Sequence, residues 1–494
     1  MGYTGRVKIP VCAGIPAAGN TTDPEILLVS VNAGFIHASL GLRSLLANLG
    51  EFESRAGILE GTRRLGVPAL AAAVAELSPL IVGVSVSIWN HGESRELLSL
   101  LRSALPEVWL VVGGPEAGYL PADHGLFLHA DVLIRGEGEL AFARLCGELL
   151  GSAAGVVRRS GNAGLREISG HIPDLSGVQL PYARLHDSDL RHRLIYVETS
   201  RGCPFGCEFC LSSVQGRVRC FPLEPVLEEI RQLYARGGRW FKMIDRSFNI
   251  DIPRARRTLE FFLALFRSGR NPDAYVQFEV VPDRLPYELR DLISQFPPGT
   301  LRLEVGIQTF NNEVAARINR RQNQRKTLDN LAFLAHASPA VIHADLIIGL
   351  PGEDLASFAA GFDRLWQLRP GEIQLGVLKA LPGTSLHRHD HAWGMVWNSE
   401  PPYEILQTGA IDRAVMDELK ILAKYWELVV NRGRFPDLVE RLLPLESDHS
   451  AFARFRTLSR ALYAHFGRTW GIDAAELGEV AYNCLDASVY PGRT

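Results

Sequence analysis

The sequence predicts an α/β protein in three parts: an N-terminal doubly wound parallel sheet, a central partial (β/α)6 barrel of the TIM type, and a C-terminal helical domain. Three observations carry this expectation. Short apolar runs alternate with amphipathic helical stretches, first before residue 150 and again from residue 194. The second series has six strand-and-helix units at intervals of about 35 residues, fewer than the eight that close a barrel. Beyond about Leu386 the strand signal fades and helical periodicity takes over. A chain of 494 residues holds about three domains of roughly 150 residues each and can bury a core without disulfides or metals as staples.

In the first part Ile26–Val31, Ile81–Val86, Trp109–Val112 and Asp131–Ile134 read as buried strands, separated by helical patterns over Leu40–Leu49, Ala69–Leu77, Ser94–Leu105 and Glu139–Leu150. Continuous apolar strands joined by helices imply a parallel sheet covered on both faces. This domain is assigned residues 1–150. Residues 151–192, rich in Gly, Ser, His and Pro, read as a connector with one extra hairpin. The barrel, residues 193–385, has strands at Leu194–Thr199, Trp240–Ile244, Tyr275–Val281, Leu301–Gln308, Val341–Ile348 and Ile373–Leu381, and ligands belong at their C-terminal ends. Residues 386–494 form the helical domain, with helices over Ala414–Val430, Phe435–Leu443, Ala451–Phe466 and Ala474–Leu485.

Composition narrows the function classes. Hydrophobic residues at 47% and charged residues at 22% favour neither a disordered nor a membrane-embedded chain. A formal net charge of −3 gives no bulk attraction to nucleic acid or anionic lipid, so a small molecule or peptide is the expected substrate. Of 52 basic residues only six are lysine, a bias that reads as genome composition. The apolar stretch Val11–Gly19 is interrupted by Pro16 and is far shorter than the roughly 20 residues of a membrane span. The opening Met-Gly-Tyr-Thr-Gly-Arg lacks the hydroxyl residue needed for myristoylation, and a cytoplasmic location is expected.

The strongest chemical signal is Cys203-Pro-Phe-Gly-Cys207-Glu-Phe-Cys210, which follows the first barrel strand and gathers three of the seven cysteines into eight residues. Thiolates this close on a Gly- and Pro-containing loop can converge on one iron cluster, whereas a structural zinc site wants four ligands and no partner pair is near. A zinc knuckle or three buried thiols is the plainer alternative. Three ligands leave one iron open to chelate the amino and carboxylate groups of S-adenosylmethionine. C-x3-C-x2-C with an aromatic residue before the last cysteine, on the loop after the first strand, resembles the radical S-adenosylmethionine (radical SAM) superfamily. The resemblance implies that Cys203, Cys207 and Cys210 hold a four-iron four-sulfur (4Fe-4S) cluster and that Phe209 packs on the adenine. It also implies an electron donor such as flavodoxin or ferredoxin and cleavage of S-adenosylmethionine to a 5′-deoxyadenosyl radical.

Polar residues at the later strand ends suit the same pocket: Asp245-Arg-Ser-Phe-Asn249, Glu304-Val-Gly-Ile-Gln308, Asp345-Leu-Ile-Ile-Gly349-Leu-Pro-Gly-Glu353 and Lys379-Ala-Leu-Pro-Gly-Thr384. By resemblance Glu304, Gln308 and Gly349 are candidates for contact with S-adenosylmethionine, and Lys242, Asp245 and Asn249 for contact with the substrate. Strand-end glycines can equally be turn residues, and a buried Glu or Asn can be purely structural.

In the first domain the strand ends are Asn32-Ala-Gly-Phe-Ile-His37-Ala-Ser39-Leu-Gly41, Ser85-Val-Ser87, Gly113-Gly114-Pro-Glu116 and Gly136-Glu-Gly138-Glu139. Small residues there let a large cofactor approach the backbone. Gly136-x-Gly138-x-x-Ala141 matches the dinucleotide fingerprint in form, but it follows a late strand, carries acids where phosphate would sit and has no acidic residue opening the run Val156–Ser160. The glycine pairs upstream of the cysteine triad instead resemble the cobalamin-binding domain of cobalamin-dependent radical SAM enzymes. That resemblance places Ser85, Ser87, Gly113 and Gly114 along the nucleotide tail, and makes Asn32, His37, Ser39, Gly41, Glu116, Gly136 and Gly138 cofactor-binding candidates. The Asp-x-His-x-x-Gly signature of an axial histidine is absent, because Phe35 stands where Asp would and Gly41 is misplaced. His37 can equally be a capping residue.

The expected chemistry is methyl transfer to an unactivated carbon, using the deoxyadenosyl radical and methylcobalamin. The alternative is a radical cyclisation or rearrangement with the same cofactors; a cobalamin carrier or sensor would need no open iron. Cys12, Cys146, Cys220 and Cys484 form no second motif, which argues against a methylthiotransferase.

Overall fold

The N-terminal sheet is built on β1 (Ile26–Asn32), whose seven residues are all buried, and on β2 (Ala56–Thr62), β3 (Ile81–Ser85), β4 (Trp109–Gly113), β5 (Val132–Gly136) and β6 (Arg166–Gly170). These belong to a computed structural model that describes residues 23–151, 157, 159, 164–214, 216–268, 273–445 and 449–489. Cys12 and Val11–Gly19 lie outside the described residues, as do Val156, Arg158 and Ser160 of the run considered above. The chain divides into two units, residues 1–200 with 219–242, and residues 201–218 with 243–494.

In the first unit the strand order is β2-β1-β3-β4-β5-β6, and every pairing is parallel. A strand buried on both faces needs helices on both sides. One layer packs Val29, Val84 and Val112 against Leu97 and Leu101; the other packs Leu28, Val111 and Ile134 against Leu46, Phe142 and Leu145. The strand order reverses between β1 and β3, and in sheets of this kind ligands bind at such a switch point, beyond the C-terminal strand ends. Two edge strands differ from the sequence expectation. β2 was not foreseen, because Gly57, Glu60 and Gly61 break its apolar run. Residues 166–170 form a strand parallel to β5 in place of the expected hairpin; only Gly170 in it is buried, so it carries no apolar signature.

After β7 (Ile195–Val197) and β8 (Trp240–Met243) come β9 (Tyr275–Val280), β10 (Leu301–Gln308), β11 (Val341–Ile348) and β12 (Glu372–Val377), which form the sheet of the second unit in the order β12-β11-β10-β9. The strands β9 to β12 pair in parallel. In β10 burial alternates residue by residue: Leu301, Leu303, Val305 and Ile307 are buried, while Arg302, Glu304, Gly306 and Gln308 share the opposite, half-buried face. That polar face is where the chemistry lies.

Beyond the sheet, helices Arg413–Trp426, Pro436–Leu442, Ala451–Phe466 and Ala474–Val489 match the helical expectation, and the first continues as a π-turn over Glu427–Asn431. Trp426 is their hub: its ring meets Phe362, Phe455 and Trp366 edge-on at 4.7, 4.8 and 5.5 Å, and its indole N–H donates to the Ile373 carbonyl at 2.9 Å. One departure is a short antiparallel pair, Val396–Trp397 with Ile405–Gln407, in a region expected to be wholly helical. No helix among the described residues is long and apolar enough to cross a membrane.

Candidate active site

The cysteine loop is shaped by glycines. Gly202 has φ +93°, and a Cβ there would stand 2.6 Å from the Arg217 carbonyl, so only glycine lets the loop close. The Ser213 hydroxyl donates to the Cys207 carbonyl at 2.8 Å or the Cys210 carbonyl at 2.6 Å, and the Cys210 N–H donates to the Cys207 carbonyl. These bonds curl the loop so that all three cysteines line one cavity of about 210 Å³. Among the described residues no three His, Cys, Asp or Glu side chains close on a common point as ligands of a single ion would. All three thiols line the same cavity, and in an iron–sulfur cluster held by cysteines each would take a different iron.

Burial pushes the Cys203 and Cys207 thiols above the ordinary cysteine value; for Cys207 the Arg320 guanidinium acts in the opposite direction and does not offset it. Ligation by iron would therefore be what holds them as thiolates. Arg320 reaches the Cys207 sulfur at 3.5 Å and also donates to the Gly306 carbonyl.

Of the sequence candidates, Phe209, Glu304 and Gln308 line this cavity. Gln308 sits at φ +71°, where β10 carries a bulge between Gly306 and Gln308. A non-glycine residue held in this region marks a place where geometry has been preferred over backbone comfort. Gly306 makes it possible: a Cβ there would stand 2.6 Å from the Gln308 amide and 3.2 Å from the Arg320 guanidinium. Glu304 accepts from the Gln277 amide. The cavity also presents Arg246, paired with Glu279 at 2.9 Å, and Asp345. Sequence reasoning assigned no role to Arg246, Glu279 or Arg320; the run Arg320-Arg321 beyond the fourth barrel strand was the only available signal.

Other candidates lie elsewhere. Gly349, at φ +90°, packs against Ile405 and Met416 and does not line the cavity. Asn249 is buried and uses its amide on the backbone, accepting from Val281 N–H and donating to the Val281 and Arg284 carbonyls. Asp245 is buried beside it in sequence and is not a lining residue either.

Glu208, between the second and third cysteines, is buried and held from outside the barrel strands. Its carboxylate meets the His389 Nε2 at 2.7 Å and the Arg388 guanidinium.

In the first unit the loops after β1 and β3 carry three exposed apolar side chains, Phe35, Ile36 and Trp89, at 53%, 45% and 50% exposure. Apolar surface of this kind at a topological switch point suits a broad, partly apolar ligand such as a corrin. A Cβ on Gly41 would meet nothing within 4 Å, and Ser85 is half-buried at its strand end. Gly114 needs its φ of +109° for a different reason: a Cβ would lie 2.5 Å from the Val86 carbonyl, so the chain crossing itself demands glycine. A Cβ on Gly113 would approach the Ile134 carbonyl at 3.5 Å, one on Gly136 (φ +87°) the Gly170 carbonyl at 3.6 Å, and one on Gly138 the Leu45 side chain at 2.9 Å. Three polar candidates turn inward. The Asn32 amide bonds the His37 carbonyl and Glu60, Ser87 takes part in a capping box with Asn90, and buried Glu116 meets His91 at 3.1 Å. Ser39 caps the helix Leu40–Ala47.

The His37 Nδ1 is engaged by the Tyr196 hydroxyl at 2.7 Å. Burial, then the charge of Lys242, holds this imidazole below its ordinary pKa, so it is neutral near pH 7. Beneath the His37 loop lies a charge network that the sequence did not reveal: Arg43 bridges Glu60 at 3.0 Å and Asp189 at 3.1 Å, and Arg193 bridges Glu60 at 2.9 Å. Burial raises the Glu60 carboxyl, but the Arg43 and Arg193 guanidinium groups and the Ser39 N–H together more than reverse this and lower it to about 2.

Comparison with known proteins agrees with this division of labour. Residues 26–146 match the B12 binding domain family and residues 197–365 match the radical SAM superfamily. The cobalamin-dependent radical SAM methyltransferase TokK of Streptomyces tokunonensis is 27% identical over 339 residues, 62% of this chain and 48% of TokK. The 2-(S-pantetheinyl)-carbapenam-3-carboxylate methyltransferase of Streptantibioticus cattleyicolor is 27% identical over 354 residues, 64% of this chain and 49% of that enzyme. The chain thus spans about half the length of the curated relatives it matches. Among solved structures, the radical S-adenosylmethionine methyltransferase TsrM of Kitasatospora setae, with cobalamin and a 4Fe-4S cluster bound, has a similar fold. Its TM-score is 0.58 at 18% identity, over 91% of this chain and 89% of TsrM.

Proposed function

We propose that this chain, which joins a B12-binding domain to a radical SAM domain, is a cobalamin-dependent radical SAM enzyme that methylates an unactivated carbon of a small molecule or peptide. The observation that carries the reading is the convergence of Cys203, Cys207 and Cys210 on one cavity together with Phe209, Glu304, Gln308 and Arg320, in a chain whose upstream unit exposes Phe35, Ile36 and Trp89 on the loops after β1 and β3. When bound, the cluster supplies an electron for cleaving S-adenosylmethionine and cobalamin carries the methyl group.

The chain's own residues do the rest. Arg320, beside Cys207 and facing the cavity, gives a planar cation for a carboxylate. Glu279, Glu304 and Asp345 give acceptors for a cationic ligand, and the strained Gln308 aims an amide into the same space. Phe209 offers a flat apolar face for a base. Exposed Phe35, Ile36 and Trp89 would pack on the corrin, and His37, held neutral by its surroundings and engaged by Tyr196, would support the loop without binding cobalt. The working boundaries are residues 1–150 for cobalamin, 151–192 as connector, 193–385 for radical generation and 386–494 for closure of the pocket. A cytoplasmic location and a protein electron donor complete the proposal.

Anaerobic reconstitution with S-adenosylmethionine, cobalamin and reductant tests it. Comparable amounts of S-adenosylhomocysteine and deoxyadenosine support methyl transfer. Deoxyadenosine alone points to cyclisation or rearrangement with the same cofactors, and neither product points to a carrier. Cys207→Ala is expected to abolish deoxyadenosine while retaining cobalamin, and undiminished cleavage in that variant would remove the cluster assignment.

A further inference from the structure

One segment beside the cysteine cavity is strongly basic in a chain whose net charge is negative. From Arg317 to Lys326 there are five basic residues and no acidic one. Arg317 stacks on Trp393 at 3.7 Å, and Arg320 faces Cys207. The other three, Arg321, Arg325 and Lys326, are exposed, and among the described residues no ion pair engages them. Asn323 caps the helix Gln324–His336, so the positive end of a 13-residue helix is added at the same place.

A second cavity, of about 630 Å³, opens beside this segment and brings Arg284 and Arg290 to Lys326. Its acidic lining residues are Asp283, which accepts the Asn323 N–H at 2.9 Å, and Asp329. The lining itself sets Arg284, Arg290 and Lys326 against these two acids, one charge positive, and the exposed Arg321 and Arg325 lie on the adjoining segment. Arg284 lies over the ring of Phe205 at 5.5 Å, and Phe205 sits in the loop between Cys203 and Cys207 and lines the cysteine cavity. The cationic surface therefore adjoins the outer side of the cluster loop. Tyr287, 82% exposed and next to Pro286 on its edge, offers an aromatic anchor of the kind that binding surfaces favour.

We propose that this surface docks an acidic one-electron carrier protein; the inference rests on the radical SAM reading above. Arg321, Arg325 and Lys326 are exposed, where they would steer an encounter and not hold a ligand in the pocket. For each S-adenosylmethionine cleaved the carrier gives up one electron and is oxidised by one. The sulfonium C–S bond breaks, leaving a thioether lone pair on methionine and one unpaired electron on the 5′-carbon.

The test uses the full-length reconstituted protein, flavodoxin as probe, and the double variant Arg325→Glu/Lys326→Glu. Glutamates in a helix's first turn do not oppose its dipole, so the fold should be kept. Titration with oxidised flavodoxin reads binding without turnover. Reversing two rim charges is expected to weaken binding about tenfold at low salt, shrinking toward none near 0.5 M salt. Deoxyadenosine formation driven by dithionite should not change, while formation driven by reduced flavodoxin should fall. Unaltered flavodoxin affinity, or equal loss with both reductants, overturns the docking surface. Undiminished carrier-driven turnover together with weaker binding of an acidic peptide would assign the surface to substrate instead. A wild-type protein that binds flavodoxin salt-dependently but forms no deoxyadenosine with dithionite would refute the enzyme reading and leave the surface standing.

Discussion

Replacing Glu353 with glutamine should remove a loss of stability of about 3 kcal/mol that the wild type suffers between acid and alkali. Glu353 ends the turn after β11 and is 3% exposed. One oxygen accepts from the Thr309 hydroxyl and lies 3.4 Å from the Ser357 hydroxyl, and the other has no partner among the described residues. Burial outweighs these bonds and raises its carboxyl from 4.5 to about 7. The folded state thus binds this proton more tightly than the unfolded state does, so folding stability is highest at low pH. It falls as pH rises from about 4.5 to about 7 and levels off above. The gap between 4.5 and about 7, at about 1.36 kcal/mol per pH unit, gives a loss of about 3 kcal/mol between roughly pH 4 and pH 8.5. The glutamine side chain cannot ionise and keeps an acceptor for Thr309; whatever its amide nitrogen costs is independent of pH and cancels from the slope. Urea unfolding of wild type and Glu353→Gln across that range should show curves that diverge by about 3 kcal/mol toward alkali. Parallel curves would refute the buried, proton-retaining carboxyl. The consequence reaches the site, because Thr309 follows the strained Gln308 and Glu353 is what braces it.

Two further substitutions read the site directly. Gly306→Ala places a methyl group against the Gln308 amide and the Arg320 guanidinium, so affinity for S-adenosylmethionine should drop by about tenfold or more in a binding titration while thermal stability changes little; unchanged affinity would mean neither side chain touches the ligand. His389→Ala leaves the buried Glu208 carboxylate with only the more exposed Arg388, and losing a hydrogen bond to a buried charge costs roughly 1.5–3 kcal/mol, felt mainly as disorder of the cysteine loop. Iron retained per chain after reconstitution should fall while far-UV circular dichroism stays the same, and full iron loading would show that the loop holds itself.

What the sequence made legible was local or periodic. The cysteine triad is eight residues long and its spacing is its geometry. The alternation in Leu301–Gln308 told which face of β10 is polar, and the apolar runs placed the buried strands. Edge strands escaped: β2 is broken by glycines and Glu60, and β6 is almost wholly exposed, so neither shows a run of buried residues. Side-chain destinations escaped as well. Asn32 and Glu116 stand at strand ends as expected, yet the partners they take lie inside the domain, and buried polar groups satisfy such partners first. Arg320 and the Arg43–Glu60–Asp189 network depend on contacts across many turns of chain, which no motif records.

The Glu208–His389 contact also says something about the order of events during synthesis. The two residues are 181 positions apart, so the cysteine loop leaves the ribosome long before the histidine that braces it. At roughly 5–20 residues per second the interval is on the order of 10 to 40 seconds. Iron delivered during that interval would meet a loop without its brace, so cluster insertion should follow completion of the chain past His389. Nascent chains stalled before and well after His389, compared for iron uptake, would show whether maturation waits for that one side chain.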